Sequence, residues 1–332
     1  MKNRRLQSVG GKSLSITLPK EWVEANNLNS GDKMSVYSQS SGALIIKPDD
    51  LIEKKMKALL DISGLSPEKL TREIIGIYIS GFEEISLVGT IEAEQKQAVK
   101  QLAQMLIGFE IVEVSSNKIV FKNILDIHKF STRETLNKIF RNAISMIEDV
   151  TIVALKNKRE LANNIIERDS EVNKLHFSVS RQYYSLLRDN ILEEDIGLDK
   201  LKMSYIRDVS IQLERIADHS AKIATALSDR NGKLDENISS FIAKTTSKIL
   251  QSLKSASAIY DASDLPTAHL IIDSCEKIIS SIEKFSPNYL NSPSLTIIFD
   301  SMKRICRYLI NIAEYTIDMI IIDKVENKGV SN

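Results

Sequence analysis

The chain has 332 residues, with 44 Lys+Arg against 44 Asp+Glu, so its formal net charge is zero; 43% of its residues are hydrophobic and 6% aromatic. At about 150 residues per domain this predicts two or three domains, and the balanced charge excludes a globally basic nucleic-acid coat or an acidic disordered tail while leaving room for a local basic arm. Its two cysteines, Cys275 and Cys306, exclude a disulfide scaffold or a four-cysteine zinc site and fit a reduced cytoplasm.

The N-terminus, MKNRRLQSVGG, lacks the apolar run of a signal peptide. Ser13–Leu18 alternates polar and apolar residues, the pattern of a half-buried strand, and Pro19 stops it. A short helical turn at Glu21–Ala25 follows, with Trp22 as its expected core anchor. Asn29-Ser30-Gly31-Asp32 turns into a strand at Lys33–Ser38, and Ser40-Ser41-Gly42 turns again before Ala43–Lys47. So few short strands cannot bury a core alone, which predicts that residues 1–50 pair with a second copy.

Residues 51–126 read as a small α/β unit. Ser66-Pro67-Glu68 opens a helix that runs toward Gly81. Glu84–Val88 follows as a strand. Ile91–Ile107 has helical periodicity, closed by Gly108, and Phe109–Val114 with Lys118–Phe121 forms a hairpin. The unit shows no nucleotide loop, catalytic serine or metal-ligand spacing.

From residue 131 the pattern is helical throughout. Ser131-Thr132-Arg133-Glu134 reads as a capping box, ahead of an apolar face of Leu136, Ile139, Phe140, Ala143 and Ile147. Six long helices are predicted, over 133–157, 161–188, 199–228, 235–260, 266–284 and 295–323, with breaks at Gly197, Asn231-Gly232, Pro266 and Pro287/Pro293. The greasiest stretch, Ile305 to Ile322, is interrupted by Arg307, Glu314 and Asp318, so no membrane insertion is expected. Leu213–Asp218 aligns with Met302–Arg307, and Ile223-Ala224 with Ile312-Ala313. This reads as two diverged copies of a three-helix unit, 131–229 and 235–324, within a helical domain spanning 131–324.

The segment Leu6-Gln7-Ser8-Val9-Gly10-Gly11-Lys12-Ser13-Leu14-Ser15-Ile16-Thr17-Leu18-Pro19-Lys20-Glu21-Trp22, with the later Gly31-Asp32, resembles the AbrB/SpoVT-like DNA-binding family over residues 3–49. The resemblance implies a swapped-hairpin β-barrel in which two chains interleave strands. Residues 131–324 resemble PhoU-like regulators of phosphate uptake, on Glu214-Arg215-Ile216-Ala217-Asp218-His219 and Asp169-Ser170-Glu171-Val172-Asn173. Together the two halves resemble archaeal-type phosphate uptake regulators that fuse these domains. The expected fold class is therefore multidomain α+β: an AbrB-like barrel, an α/β middle unit and a pair of PhoU-like three-helix bundles.

Residues 1–20 hold five cations, Lys2, Arg4, Arg5, Lys12 and Lys20, and no acid. Dimerisation doubles this set, and neutralising DNA phosphates with it would release counterions. Arg4, Arg5 and Lys12, with Lys20 as a weaker member that Glu21 can pair, are the expected contacts to promoter DNA. Arginine can also read guanine edges, whereas lysine mostly positions the protein on phosphate. The alternative is a solvated basic terminus.

In the helical half, Asp169 and Asn173 share a helix face, His176 extends it, and Glu214 and Asp218 repeat the i,i+4 pairing. Converging oxygen ligands suit Mg, Ca, Mn or iron. PhoU-like proteins hold metal ions on such acidic pairs, so the resemblance implies a divalent or ferric ion in the first repeat. A solvated face, with Arg215 pairing the acids, is the alternative. Glu167 and Glu171 fall on another face, His219 reads as a surface or capping residue, and His128 and His269 carry no pattern. In the second repeat Lys303 and Arg307 replace the acids, so that ion set is lost, and the two cations are left to pair with Asp273 or Glu276 or to meet an anion. The cysteines read as buried small hydrophobes.

The resemblance implies a cytoplasmic homodimer that regulates transcription of phosphate-uptake genes, its helical domain sensing phosphate status through metal, anion or partner binding. The second reading is a signalling partner of a phosphate transporter component or kinase, with an N-terminal domain that only dimerises. No Glu-x-x-His pair and no paired base and nucleophile is present, so no enzymatic activity is expected.

Overall fold

The computed structural model describes residues 3–39, 42–49, 56–125, 130–156, 158–188, 193–230, 234–262 and 264–329; Lys2, His128, the turn at 40–41 and the break at 231–232 lie outside them. The chain divides into two compact units, Met1–Lys55 and Met56–Asn332. The α/β segment and the helices thus belong to one unit.

In the first unit, strands β1 (Gln7–Val9) and β2 (Ser13–Ser15) form an antiparallel hairpin turned by Gly10 and Gly11, both at positive φ. The sequence pattern places one strand here; the glycine pair makes it two. Helix α1 (Lys20–Ala25) follows, then β3 (Met34–Ser38) antiparallel to β4 (Leu44–Pro48). Among the described residues the two ladders stay separate and no closed barrel forms in the single chain. The half-burial expected of the Ser13 strand is absent: Leu14 is 66% exposed, and Leu6, Val9, Ile16, Val36 and Leu44 are exposed as well. Trp22 is half-buried, and α1 contains no buried residue.

The second unit opens with β5 (Lys57–Asp61), α2 (Pro67–Ile79), β6 (Glu84–Val88), α3 (Ala93–Met105), β7 (Phe109–Val114) and β8 (Lys118–Asn123). Strand order is β5-β6-β8-β7, parallel only between β5 and β6, with a register irregularity between Ile111 and Glu113 on β7. Ser66 caps α2 ahead of Pro67, and Glu92 and Gln95 form the capping box of α3. The buried Gln95 amide also donates to the carbonyls of Ile62 and Leu65, fixing the loop that leads to α2. Leu70, Ile74, Tyr78, Ile85, Leu87, Leu102, Phe109 and Phe121 form the core of this layer, joined by Phe177 from the helices.

The helices are α4 (Thr132–Lys156), α5 (Arg159–Leu187), a single turn α6 (Glu193–Ile196), α7 (Lys200–Ser228), α8 (Glu236–Ala262), α9 (Leu265–Phe285) and α10 (Pro293–Gly329), with a 3-10 turn at Ser286–Tyr289. Ser131, Asp199 and Asp264 accept the first-turn amides of α4, α7 and α9. One apolar core runs through all six long helices. The seam between the two three-helix groups carries polar pairs: the Thr151 and Thr246 hydroxyls meet at 2.8 Å, and Asn311 donates to Gln212 at 3.1 Å.

Arg181 of α5 ties the α/β layer to the bundle. It is 0% exposed, donates to the backbone carbonyls of Tyr78 (2.6 Å) and Phe82 (2.7 Å) and to Glu83 Oε1 (2.5 Å), and its guanidinium lies 4.9 Å from both the Tyr78 and Phe109 rings. Arg181→Met keeps the volume but leaves a carboxylate and two carbonyls without their donor. It is expected to lower unfolding stability by about 3 kcal/mol, measured by urea titration with circular dichroism; a change below about 0.5 kcal/mol, the range of an ordinary surface substitution, would contradict this account.

Candidate functional site

Arg4 and Arg5 precede β1, Lys12 sits in the β1–β2 turn, and all three are exposed. A two-residue glycine turn puts Lys12 at the tip of a short ribbon whose open end carries the two arginines. Lys20, also exposed, pairs with Glu24 at 3.5 Å, one helical turn on, rather than with Glu21. Such a pair is worth only a few tenths of a kcal/mol, so Lys20 remains available to a stronger anion at small cost.

The acids come together where α5 meets α7. Asn173 Nδ2 donates to Asp169 Oδ2 at 3.1 Å, as the i,i+4 spacing predicts. Asp169 Oδ1 is buried with no hydrogen-bond partner. Burial, and then the negative charge of Asp218, push the Asp169 carboxyl up to about 6. Burial, Asp218 and Asp169 push Glu214 up to about 7. Asp218 is half-exposed and accepts from Lys222 Nζ at 2.6 Å. The cluster is thus three carboxylates from two helices, short of positive charge, with Lys222 at its rim. That lysine lies four residues beyond Asp218, and its spacing makes it legible in the sequence.

His176 takes a different direction. Its Nδ1 lies 3.1 Å from Ser210 Oγ, whose proton goes to the Arg207 carbonyl at 2.7 Å, so His176 donates through Nδ1. Burial, Arg207 and Arg215 push its pKa down to about 4, which keeps the ring neutral near pH 7. His219 is no surface residue: it is 9% exposed on the α7–α10 seam, with Nδ1 at 3.1 Å from Ser301 Oγ and its ring 5.7 Å from Tyr308. Arg215 lies over the same Tyr308 ring and also lowers the Glu214 carboxyl electrostatically, an effect smaller than the burial and repulsion that raise it. In the second repeat, Arg304 pairs with Asp300, one turn before it. Among the described residues, no group of three or more His, Cys, Asp or Glu stands in an arrangement that could hold a metal ion.

Comparison with known proteins places both halves. Residues 136–227 match the PhoU domain, and residues 7–54 match antidote-toxin recognition MazE, bacterial antitoxin. The chain joins a MazE/AbrB-like unit to a PhoU-like helical domain. The PhoU match spans α4, α5 and α7, the three-helix group that carries the acids. Among solved structures, the chain is similar to the crystal structure of the phosphate transport system regulatory protein PhoU from Streptococcus pneumoniae, at 16% identity over 57% of this chain and 93% of that one, with a TM-score of 0.46. No curated protein matches. Among the described residues no helix is long and apolar enough to cross a membrane. The pairing of these two domain types supports a regulatory role.

The raised carboxyls give a pH dependence with a definite sign. Each binds its proton more tightly folded than unfolded, so its contribution is full below about pH 4 and is lost as pH rises through about 6 for Asp169 and about 7 for Glu214. Chelator-treated protein is expected to lose thermal stability between pH 5 and pH 8, and Glu214→Gln to flatten that slope. Melting curves across the range check this; parallel slopes for the variant and the parent would contradict it.

Proposed function

We propose that the chain is a dimeric, non-enzymatic, cytoplasmic regulator that binds promoter DNA of phosphate-uptake genes, with a helical domain that responds to phosphate status through a bound ion, an anion or a protein partner. The observation that carries this reading is the union, in one chain, of an exposed basic hairpin within a MazE/AbrB-like unit and a PhoU-like domain with an under-neutralised acidic cluster. The exposed apolar side chains of the two N-terminal ladders support dimerisation, since a second copy would cover them.

For a divalent or ferric cation, Asp169, Asn173, Glu214 and Asp218 would hold it only after shifting from the positions they occupy here, with His176, whose Nδ1 is engaged by Ser210, as an additional imidazole. The fit rests on the unpartnered Asp169 oxygen and on the two carboxyls whose ionisation burial and mutual repulsion oppose, raising them to about 6 and about 7. A cation would supply positive charge that favours their ionised forms. Lys222 occupies Asp218 and acts as counter-charge in its absence, so binding involves displacement of that ammonium group.

The exposed apolar residues also favour a second reading, in which the N-terminal unit only dimerises and the helical domain signals to a phosphate transporter component or kinase. DNA binding separates the two. Arg4→Glu with Arg5→Glu is expected to abolish measurable affinity for promoter DNA from a phosphate-transport operon while leaving the dimer intact. If the parent dimer makes four arginine–phosphate contacts, they account for about 3 to 4 of its log–log salt slope. Fluorescence anisotropy at two salt concentrations, with sedimentation for the dimer, measures both; unchanged affinity would overturn the assignment. Asp218→Ala is expected to remove bound metal and Arg307→Ala to retain it, read by elemental analysis of the purified variants, and equal loss would contradict a single ion site.

A further inference from the structure

At one end of the helical bundle a cavity of about 120 Å³ lies between the two three-helix groups. Helices α4 and α7 line it from the first group, α8 and α10 from the second. Its floor is apolar, with Ile206, Ile259 and Ile320 all buried. Its rim is charged and carries both signs, through Arg133 and Lys202 on one side and Asp323 on the other. Neither the acids of the α5–α7 cluster nor His176 line it, so it is a separate site. We propose that this cavity binds an α-amino acid of the leucine class, with the apolar side chain on the floor and the charged head at the rim.

Size sets the body of the ligand. An apolar cavity of about 150 Å³ holds a molecule the size of benzene, so one of about 120 Å³ takes roughly four or five carbons. The isobutyl group of leucine meets that limit. Charge sets the head. Lys202 Nζ stands 3.8 Å from Asp323 Oδ1 and 4.0 Å from Asp199 Oδ2, the acid that caps α7. Both separations exceed hydrogen-bond length, so each pair is held apart at the rim. A zwitterion answers both signs at once: its carboxylate meets Lys202 and Arg133, and its ammonium meets Asp323. Thr316, 2% exposed, donates its proton to the Ile312 carbonyl at 2.8 Å, so its oxygen meets a ligand only as an acceptor, which suits the same ammonium.

The helix ends act in the same direction. Arg133 and Lys202 stand in the first turns of α4 and α7, whose dipoles add partial positive charge for the carboxylate. Ile259 and Tyr260 stand in the last turn of α8, whose partial negative charge favours the ammonium. A plain carboxylate leaves Asp323 facing an anion, and a plain amine leaves two cations facing a third. Because the ligand touches both three-helix groups, it adds contacts across their seam and stabilises one packing of the pair. The site does not depend on the ion reading of the acidic cluster, and either can fail without the other.

Isothermal titration calorimetry of the chelator-treated full-length protein with L-leucine at neutral pH tests this. Glycine, isocaproate and isoamylamine serve as analogues that lack, in turn, the apolar body, the ammonium and the carboxylate. Leucine is expected to bind saturably at one site per chain, and each analogue at least tenfold more weakly. Asp323→Asn, at a half-exposed residue whose ion pair is already long, is expected to keep the fold. It should weaken leucine at least tenfold and leave isocaproate no weaker, since that acid has no ammonium to lose. No saturable heat from leucine up to millimolar concentrations would overturn the proposal. So would glycine or isocaproate binding as tightly as leucine, or an Asp323→Asn variant that binds leucine like the parent.

Discussion

Arg181 carries a charge that its surroundings have removed from water, and that arrangement is tolerated because both terminal nitrogens of the guanidinium find acceptors, although its Nε is buried without one. The Tyr78 and Phe82 carbonyls come from the end of α2 and the turn after it, Glu83 from the residue before β6, and the rings from α2 (Tyr78) and β7 (Phe109), which meet edge-to-face. The desolvation cost of an unpaired guanidinium is several kcal/mol, so the α/β layer has little freedom to move away from α5. Tyr78 is held in turn by its hydroxyl, which donates to the Ile107 carbonyl at 2.9 Å. The residues that order the layer internally are thus the ones that dock it.

Helix α5 consequently serves two structures at once. Its C-terminal half is locked against the sheet through Arg181, and about 18 Å earlier along the same helix Asp169 faces α7. Between them His176 is fixed to Ser210 of α7. A change in charge at the acidic cluster acts on the α5–α7 contact, and α7 also forms the seam with the second repeat through His219 and Gln212. In our account an ion that lets Asp169 and Glu214 ionise alters the packing preference of the helix that both the α/β layer and the second repeat rest on. Such coupling has a free energy only if the ion's affinity differs between two arrangements.

Much of this was legible in the sequence where a local rule decides. Helix boundaries followed from Ser131, Gly197, Pro266 and Pro293, and the Asp169–Asn173 contact followed from helical spacing alone. Partnerships between elements distant in sequence were not. Nothing in the residues around Arg181 marks it as buried, because its acceptors are carbonyls and a carboxylate about a hundred positions earlier. His219 read as exposed for the same reason: its partner, Ser301, lies in the other repeat. Strand β5 escaped notice because Lys57–Asp61 is an edge strand defined by its pairing with β6, and β1 because it is only three residues long. At the candidate site the sequence supplied the acids but not their competition for charge, which comes from burial.

The central claim is that the acidic cluster of the helical domain and the basic hairpin belong to one regulatory device. The measurement that tests it most directly is the affinity of the full-length dimer for phosphate-operon promoter DNA, by fluorescence anisotropy at fixed ionic strength, in chelator and in manganese, for the parent and for Asp218→Ala. The account predicts that manganese changes the parent's affinity at least fivefold, a coupling of about 1 kcal/mol, and leaves the variant unmoved. Equal affinity of the parent in both conditions would contradict it.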